Sequence, residues 1–215
     1  DGAMLRREIA VLAHLRHPSI VAVRGADVAH PFLALELLAG GSVQRLLHAA
    51  PLPVDDIATV LSAAAAALAW LHGQHIVHAD IKPANLMLRD PGRIGPAVLI
   101  DFATAHTQGL PSPGRVASPA YAAPELLLGA SPDPRDDIYG LGVIAYQLLT
   151  GRHPFGPDPV LALDPPARPG PLSDASWAWL RAALSPARAA RPTTVADLPA
   201  ALHAHREGAL VACPG

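Results

Sequence analysis

Leu5, Ile9, Leu12 and Leu15 recur at the spacing of an amphipathic helix, which predicts a helix over residues 4–16, closed by Pro18. Glu8 falls inside this apolar stripe, and a carboxylate carried onto a packed face needs a partner. Ile20 to Arg24 and Phe32 to Leu37 read as two short strands joined by a turn. After Gly40-Gly41 the pattern turns helical from Ser42 to His48, then again, over a longer run, from Val54 to His72. Between Ile76 and Leu88 short apolar pieces bracket the polar stretch His78-Ala79-Asp80-Ile81-Lys82-Pro83-Ala84-Asn85, as two strands bracket a loop. Ala97 to Ile100 is a further strand, and residues 103–120 carry the small residues, prolines and hydroxyls of a surface segment. Asp137 to Thr150 is an apolar helix closed by Gly151, and 154–171 is a Pro- and Gly-rich loop. Trp177 to Leu184 and Val195 to Arg206 are the last predicted helices, followed by a tail over 207–215. There is no internal repeat.

Composition narrows this picture. The chain has 215 residues, 51% of them apolar and 16% charged, enough for one sizeable domain or two small lobes. A net charge of −2 without a basic run gives nucleic acid no electrostatic footprint. Cys213 is the only cysteine, so neither a disulfide framework nor a cysteine metal site can form within the chain, which suits a reducing, cytoplasmic setting. Ile57 to Leu71, the longest apolar stretch, is mostly alanine and about 15 residues long against the roughly 20 of a membrane span, so a buried helix and no membrane segment is expected. No signal peptide is visible. The chain starts at Asp1 rather than methionine, which is the expectation for a fragment.

The basic residues carry the sharpest compositional signal. Of sixteen, Lys82 alone is lysine, and Asn85, three positions on, is the only asparagine. Lysine offers a compact, flexible point charge where arginine offers a planar fork, and asparagine offers a neutral carbonyl oxygen beside its amide. Asp80 stands next to both, and Asp101 follows the apolar run Val98-Leu99-Ile100, at a strand end where it can project into a cleft. Phosphoryl transfer from ATP asks for such a set: a carboxylate for the hydroxyl, a cation for the moving group, and oxygen ligands for magnesium. Taken singly, Asp80 reads as a loop cap, Asp101 as a turn residue and Glu125 as the acidic opener of a helix; taken jointly, coincidence is a poor explanation. His72, His75 and His78 sit three apart, but a helix end and a strand lie between them, so a metal site is not expected.

With His78-Ala79-Asp80 and its Lys82 and Asn85, then Asp101-Phe102-Ala103, Ala123-Pro124-Glu125, Asp136-Asp137-Ile138-Tyr139-Gly140-Leu141-Gly142 and Arg191-Pro192-Thr193, the chain resembles the eukaryotic-type protein kinases, and most of all their bacterial serine/threonine branch. Five motifs in register cover nearly the whole chain. The resemblance implies an α+β, protein-kinase-like fold: a remnant of the front lobe and hinge over 1–38, with one helix and two strands, and a mostly helical second lobe over 39–206. It implies Asp80 as catalytic base, Lys82 on the γ-phosphate of ATP, and Asn85 and Asp101 on Mg2+, with Asp101 bridging the metal to the phosphates. Glu36 to Leu38 would be the hinge that meets adenine through its backbone, Leu35 the residue limiting pocket depth, Ser42 a ribose contact, and Met87 and Val43 the floor beneath the ring. Glu125 would pair with Arg191, Asp137 would brace the catalytic loop from below, and Phe102 would pack with Leu12 and Val23. Lys82 and Ser118-Pro119-Ala120-Tyr121 resemble the serine/threonine rather than the tyrosine group, so the implied partner is a protein with a Ser/Thr hydroxyl. Small-molecule kinases of related fold generally lack the segment that Ala123-Pro124-Glu125 represents.

Three departures qualify the resemblance. The glycine-rich loop is missing, and so is the strand lysine that would pair with Glu8, which Lys82, already used, cannot supply; low activity of the chain as written is therefore expected. Ala79 replaces the arginine that reads a phosphate on the activation segment, so removing the hydroxyls of Thr104, Thr107 and Ser112 should leave rates unchanged. Ala103 replaces a glycine and narrows the backbone options behind Asp101. The alternatives are a pseudokinase acting as a binding module and, more weakly, a small-molecule phosphotransferase.

Overall fold

The Leu5-to-Leu15 stripe folds as α1 (Gly2–Leu12), with Ile9 and Leu12 buried. The computed structural model describes residues 2–30, 32–108, 118–156, 166–170 and 172–198. α1 stops short of the expected end because the Leu15 N–H bonds the carbonyl of Leu12, a tighter i→i−3 closure. The strand pair forms as β1 (Val23–Asp27) and β2 (Phe32–Leu35), antiparallel, with an irregularity between Val23 and Gly25. β1 begins three residues later than the apolar run suggests. Ile20 and Val21 are used elsewhere: Ile20 bridges Leu99 in parallel, and the Val21 N–H bonds the Leu99 carbonyl at 3.0 Å.

β3 (Gly41–Ser42) precedes a 3-10 helix, Val43–His48, where an α-helix was expected. Six residues held between a strand and Pro51 are too few to offset α-helix nucleation. α2 (Val54–Gly73) is 20 residues long, so by length and composition it could cross a membrane. Its Ile57, Leu61, Leu68 and Leu71 are fully buried in the core, which is the expected buried helix. β4 (Ile76–Val77), β5 (Leu86–Leu88), β6 (Val98–Leu99) and β7 (His106–Thr107) follow. They form a three-stranded sheet in the order β3-β5-β6 and a pair β4-β7.

α3 (Pro124–Leu127) leads to α4 (Pro134–Thr150), packed against α2 through the core. α4 starts three residues before the apolar pattern does. Asp133 and Asp136 form a capping box with Pro134 at the first helical position, a polar start that hydrophobic periodicity does not see. At its end Gly151 takes φ 71°, as the pattern required. Gly140 lets α4 lie directly under the polar loop: a Cβ there would sit 2.8 Å from the Ile81 carbonyl oxygen. α5 (Asp174–Ala183) opens on Ser173, whose hydroxyl accepts the Ser176 N–H. Phe102 and Leu12 are fully buried, and Val23 packs against the same core, as expected. Most of the helix expected over 195–206, the tail, and parts of the segments over 103–120 and 154–171 lie outside the described residues.

Candidate active site

The site is assembled on α4. Asp137, 1% exposed in its first turn, accepts backbone N–H groups from His78 at 2.9 Å and Ala79 at 2.8 Å, and the His72 Nε2–H at 2.9 Å. The carboxylate thus braces the polar loop from below, as the resemblance implied. His72 had been read only as a discounted metal ligand; it is the third leg of this brace. Ala79 is held at φ 63°, a left-handed conformation that a residue with a Cβ adopts at a cost. His78 closes the loop from the other side. Its Nδ1 accepts the Asp80 N–H, its Nε2 donates to the Ile100 carbonyl at 3.1 Å, and its ring meets Phe102 edge-on at 5.0 Å.

Asp80, Lys82 and Asn85 come together. Asp80 Oδ2 accepts from Lys82 Nζ at 2.6 Å and from Asn85 Nδ2 at 3.1 Å, and Asn85 Nδ2 also donates to the Asp80 carbonyl. Lys82 Nζ donates as well to Ser118 Oγ at 2.9 Å. The sequence singled out Ser118 but not this bond, which spans 36 positions and carries no local signal. The Ile100 N–H bonds the Asn85 carbonyl at 3.0 Å, which sets Asp101 beside the cluster. Asp101 itself sits at φ 63°. With its amide nitrogen committed to Asp80, Asn85 has its side-chain carbonyl oxygen left to offer, and Asp101 has a carboxylate. These are hard oxygen donors of the kind Mg2+ takes, so the residues present fit the ion.

Glu8 finds a partner the sequence did not suggest: Oε1 accepts the Phe102 N–H at 3.1 Å. Burial pushes this carboxyl above its ordinary value, the Phe102 N–H partly offsets that, and the nearby Asp101 adds to the rise.

Ser42 pairs with Met87 across β3 and β5, and Met87 with Val98 across β5 and β6, which sets Ser42 and Met87 side by side in one sheet. The Glu36 side chain is already engaged. It accepts the Ala22 N–H at 2.9 Å and Arg89 Nη1 at 2.7 Å; burial alone would raise its carboxyl, but these partners hold it below the usual range. Its own N–H is spent on the Ala22 carbonyl at 2.9 Å, so Glu36 offers a ligand only its backbone carbonyl. Leu38 is buried and Leu35 is exposed. Val43, expected under the ring with Met87, opens the 3-10 helix and is wholly buried; of the two, Met87 alone is partly accessible.

Away from this cleft, Arg191 grips Glu125 with both nitrogens, at 2.6 and 2.9 Å, as expected. The sequence missed the rest of the cluster. Arg188 bridges Glu125 at 2.8 Å and Asp136 at 2.9 and 3.1 Å, and Arg191 reaches Asp136 at 3.3 Å. The adjacent acids Asp136-Asp137 were its only trace in the sequence. Burial opposes the charge on Glu125, yet the Arg191 fork holds its carboxyl down at about 2; burial and the Glu125 carboxylate push Asp136 up.

A family model described as protein kinase domain matches residues 2–162. The chain is 36% identical over 165 residues to the serine/threonine-protein kinase PknL of Mycobacterium tuberculosis, covering 74% of this chain and 41% of that protein. It is 42% identical over 156 residues to the serine/threonine-protein kinase PknJ of Mycobacterium bovis, covering 69% of this chain and 26% of that protein. It is 37% identical over 184 residues to the serine/threonine-protein kinase PkaA of Streptomyces coelicolor, covering 80% of this chain and 34% of that protein. The chain thus spans less than half the length of these curated relatives.

Proposed function

The chain belongs to the protein kinase family, with bacterial serine/threonine kinases among its relatives, and we propose that it transfers the γ-phosphate of ATP to a serine or threonine hydroxyl of a protein. The observation that carries this reading is the junction of Asp80, Lys82, Asn85 and Ser118 beside Asp101. Lys82 and Asn85 both occupy Asp80 Oδ2, which leaves Oδ1 to accept the hydrogen bond of an incoming hydroxyl and then its proton. Lys82 lies between this carboxylate and the 118–121 stretch, where its charge can meet the moving phosphoryl group. Asn85 and Asp101 would hold Mg2+, which supplies charge neutralisation on the phosphates when bound. The backbone of Glu36 to Leu38, with Ser42 and Met87, would receive the nucleoside. Residues 1–38 serve in this reading as the remnant of the front lobe.

The test is incorporation of labelled phosphate from ATP and Mg2+ into a basic, serine-containing protein, with small alcohols as competing acceptors. Asp80→Asn should reduce the rate by roughly 10²-fold or more, the range of a lost positioned base. Transfer that survives Asp80→Asn, or that goes to the alcohols instead, overturns the reading. The 215-residue chain should turn over slowly, because Glu8 contacts the Phe102 N–H rather than a lysine and Lys82 is the single lysine present. A chain extended upstream with a lysine facing Glu8 should be faster.

Ala79, and a Glu8 that contacts the Phe102 N–H rather than a lysine, favour a second reading, a pseudokinase that binds and does not transfer. That reading predicts a Mg-ATP-dependent rise in unfolding temperature with no labelled product in the extended chain.

A further inference from the structure

A cavity of about 450 Å³ opens between α1, the C-terminal end of α2 and β7, away from the site above: Asp80, Lys82, Asn85 and Asp101 do not line it. Its walls are largely apolar, with Val11 from α1, Trp70 from α2 and Ile76 from β4. Trp70 is set in place by a tilted ring contact with His17 at 5.9 Å. Its polar groups are cationic or neutral, with Gln74 and Thr107 beside Arg7, His14 and His106. Arg7, His14 and His106 face it, and none of the residues lining it carries a carboxylate.

His106 is the informative member. It is 5% exposed, yet its ring takes no side-chain hydrogen bond among the described residues. Burial and the nearby charge of Arg7 both push its imidazole below the ordinary value. An imidazole and a guanidinium that meet at one cavity, with no carboxylate in its lining, are an arrangement that an incoming anion completes. The volume is that of a small-molecule pocket, and the apolar walls disfavour a bare phosphate or sulfate, which would be stripped of water without gaining contacts.

We propose that this cavity binds a small organic anion with an apolar body, an aromatic carboxylate by class, with its charge between Arg7 and His106 and its ring against Trp70 and Ile76. Such a ligand joins two parts of the chain that already touch elsewhere. Arg7 directly precedes Glu8, whose carboxylate holds the Phe102 N–H, and His106 lies four residues beyond Phe102. Occupancy therefore tightens α1 against the segment that carries Asp101. This proposal stands on the cavity itself and does not depend on phosphate transfer.

The experiment titrates 2-naphthoate, and its neutral analogue 2-naphthamide, into the 215-residue chain by calorimetry, with amide hydrogen exchange read at Phe102. Saturable one-to-one binding of the carboxylate is expected, at least tenfold weaker for the amide. Arg7→Gln, an exposed position whose change should leave the unfolding temperature intact, should weaken the carboxylate tenfold or more, and Ala10→Glu, which adds a repelling charge at the lining, should abolish binding. Phe102 exchange should slow severalfold on saturation. No saturable binding up to millimolar naphthoate, equal binding of the amide, or indifference to both substitutions overturns the proposal; binding with unchanged exchange at Phe102 overturns the coupling to the Asp101 segment.

Discussion

At the scale of single residues, the activation-segment hydroxyls are not equivalent. Thr104 is buried and donates from Oγ1 to the His78 carbonyl at 3.2 Å, so it is part of the loop's support rather than a free acceptor of phosphate. Thr107 is exposed at the end of β7, and Ser112 lies outside the described residues. Because Ala79 supplies no cation to read a phosphate, Thr107→Ala should leave the transfer rate within about twofold, whereas Thr104→Ala should lower stability by about 1 kcal/mol, the net worth of one such bond. Rate assays and thermal melts on the two variants separate the cases; a large rate loss for Thr107→Ala would count against a phosphate-independent site.

Glu8 gives a second prediction at this scale. Its carboxyl is raised, so the stabilisation from its proton is complete below its ordinary value near 4.5 and is lost as pH climbs through the raised one. Glu8→Gln keeps an oxygen for the Phe102 N–H and removes the titration. In the 215-residue chain the variant's unfolding temperature should gain on the wild type as pH rises from 4 to 8. A difference that stays constant with pH would show that the carboxylate has a compensating partner. Lys82 and Asn85 stood out in the sequence because each is the only residue of its type, and Asp101 because it follows the apolar run Val98-Leu99-Ile100. The contacts of Glu8 with Phe102 and of Lys82 with Ser118 were not, since they join positions 94 and 36 apart and depend on how the elements pack.

At the scale of elements, α4 presents Asp137 to two backbone N–H groups that no strand or helix satisfies. Asp137→Ala leaves the buried His78 N–H and the half-buried Ala79 N–H unpaired, at about 1–3 kcal/mol each. For a chain of this size that is a fall in unfolding temperature on the order of 10 °C. Thermal melts measure it, and a fall of only a degree or two would mean that water replaces the carboxylate. The interior of α4 was readable from its apolar pattern, and its end from Gly151; its beginning was not, because a capping box is polar. β1 shows the same limit differently. An apolar run does not say which neighbour it will pair with, and Ile20 and Val21 chose Leu99 over β2.

At the scale of the whole molecule, Glu125, Asp136, Arg188 and Arg191 tie α3, the start of α4 and the turn after α5 into one knot of two acids and two arginines. The pair Glu125–Arg191 was foreseen from the family resemblance, but the second acid and second arginine arrive together, and neither makes sense without the other. Removing Arg188 alone leaves buried Asp136 and half-buried Glu125 sharing Arg191, so Arg188→Ala should destabilise more than Arg188→Ala combined with Asp136→Asn, a coupling that a double-mutant cycle reads. The knot also sets an acid limit. Glu125 is held at about 2 against an ordinary value of 4.5, so its contribution is complete above about pH 4.5 and disappears as pH falls through about 2. Asp136, pushed the other way partly by Glu125 itself, contributes in the opposite sense, so the Glu125 effect is isolated on an Asp136→Asn background, as the difference made there by Glu125→Gln. That difference should be about 2 kcal/mol at pH 6 and should shrink steadily toward zero between pH 4.5 and 2 in denaturant titrations. If it persists at pH 2, the guanidinium fork is not what holds the Glu125 carboxylate, and packing of the side chain holds the three segments together instead.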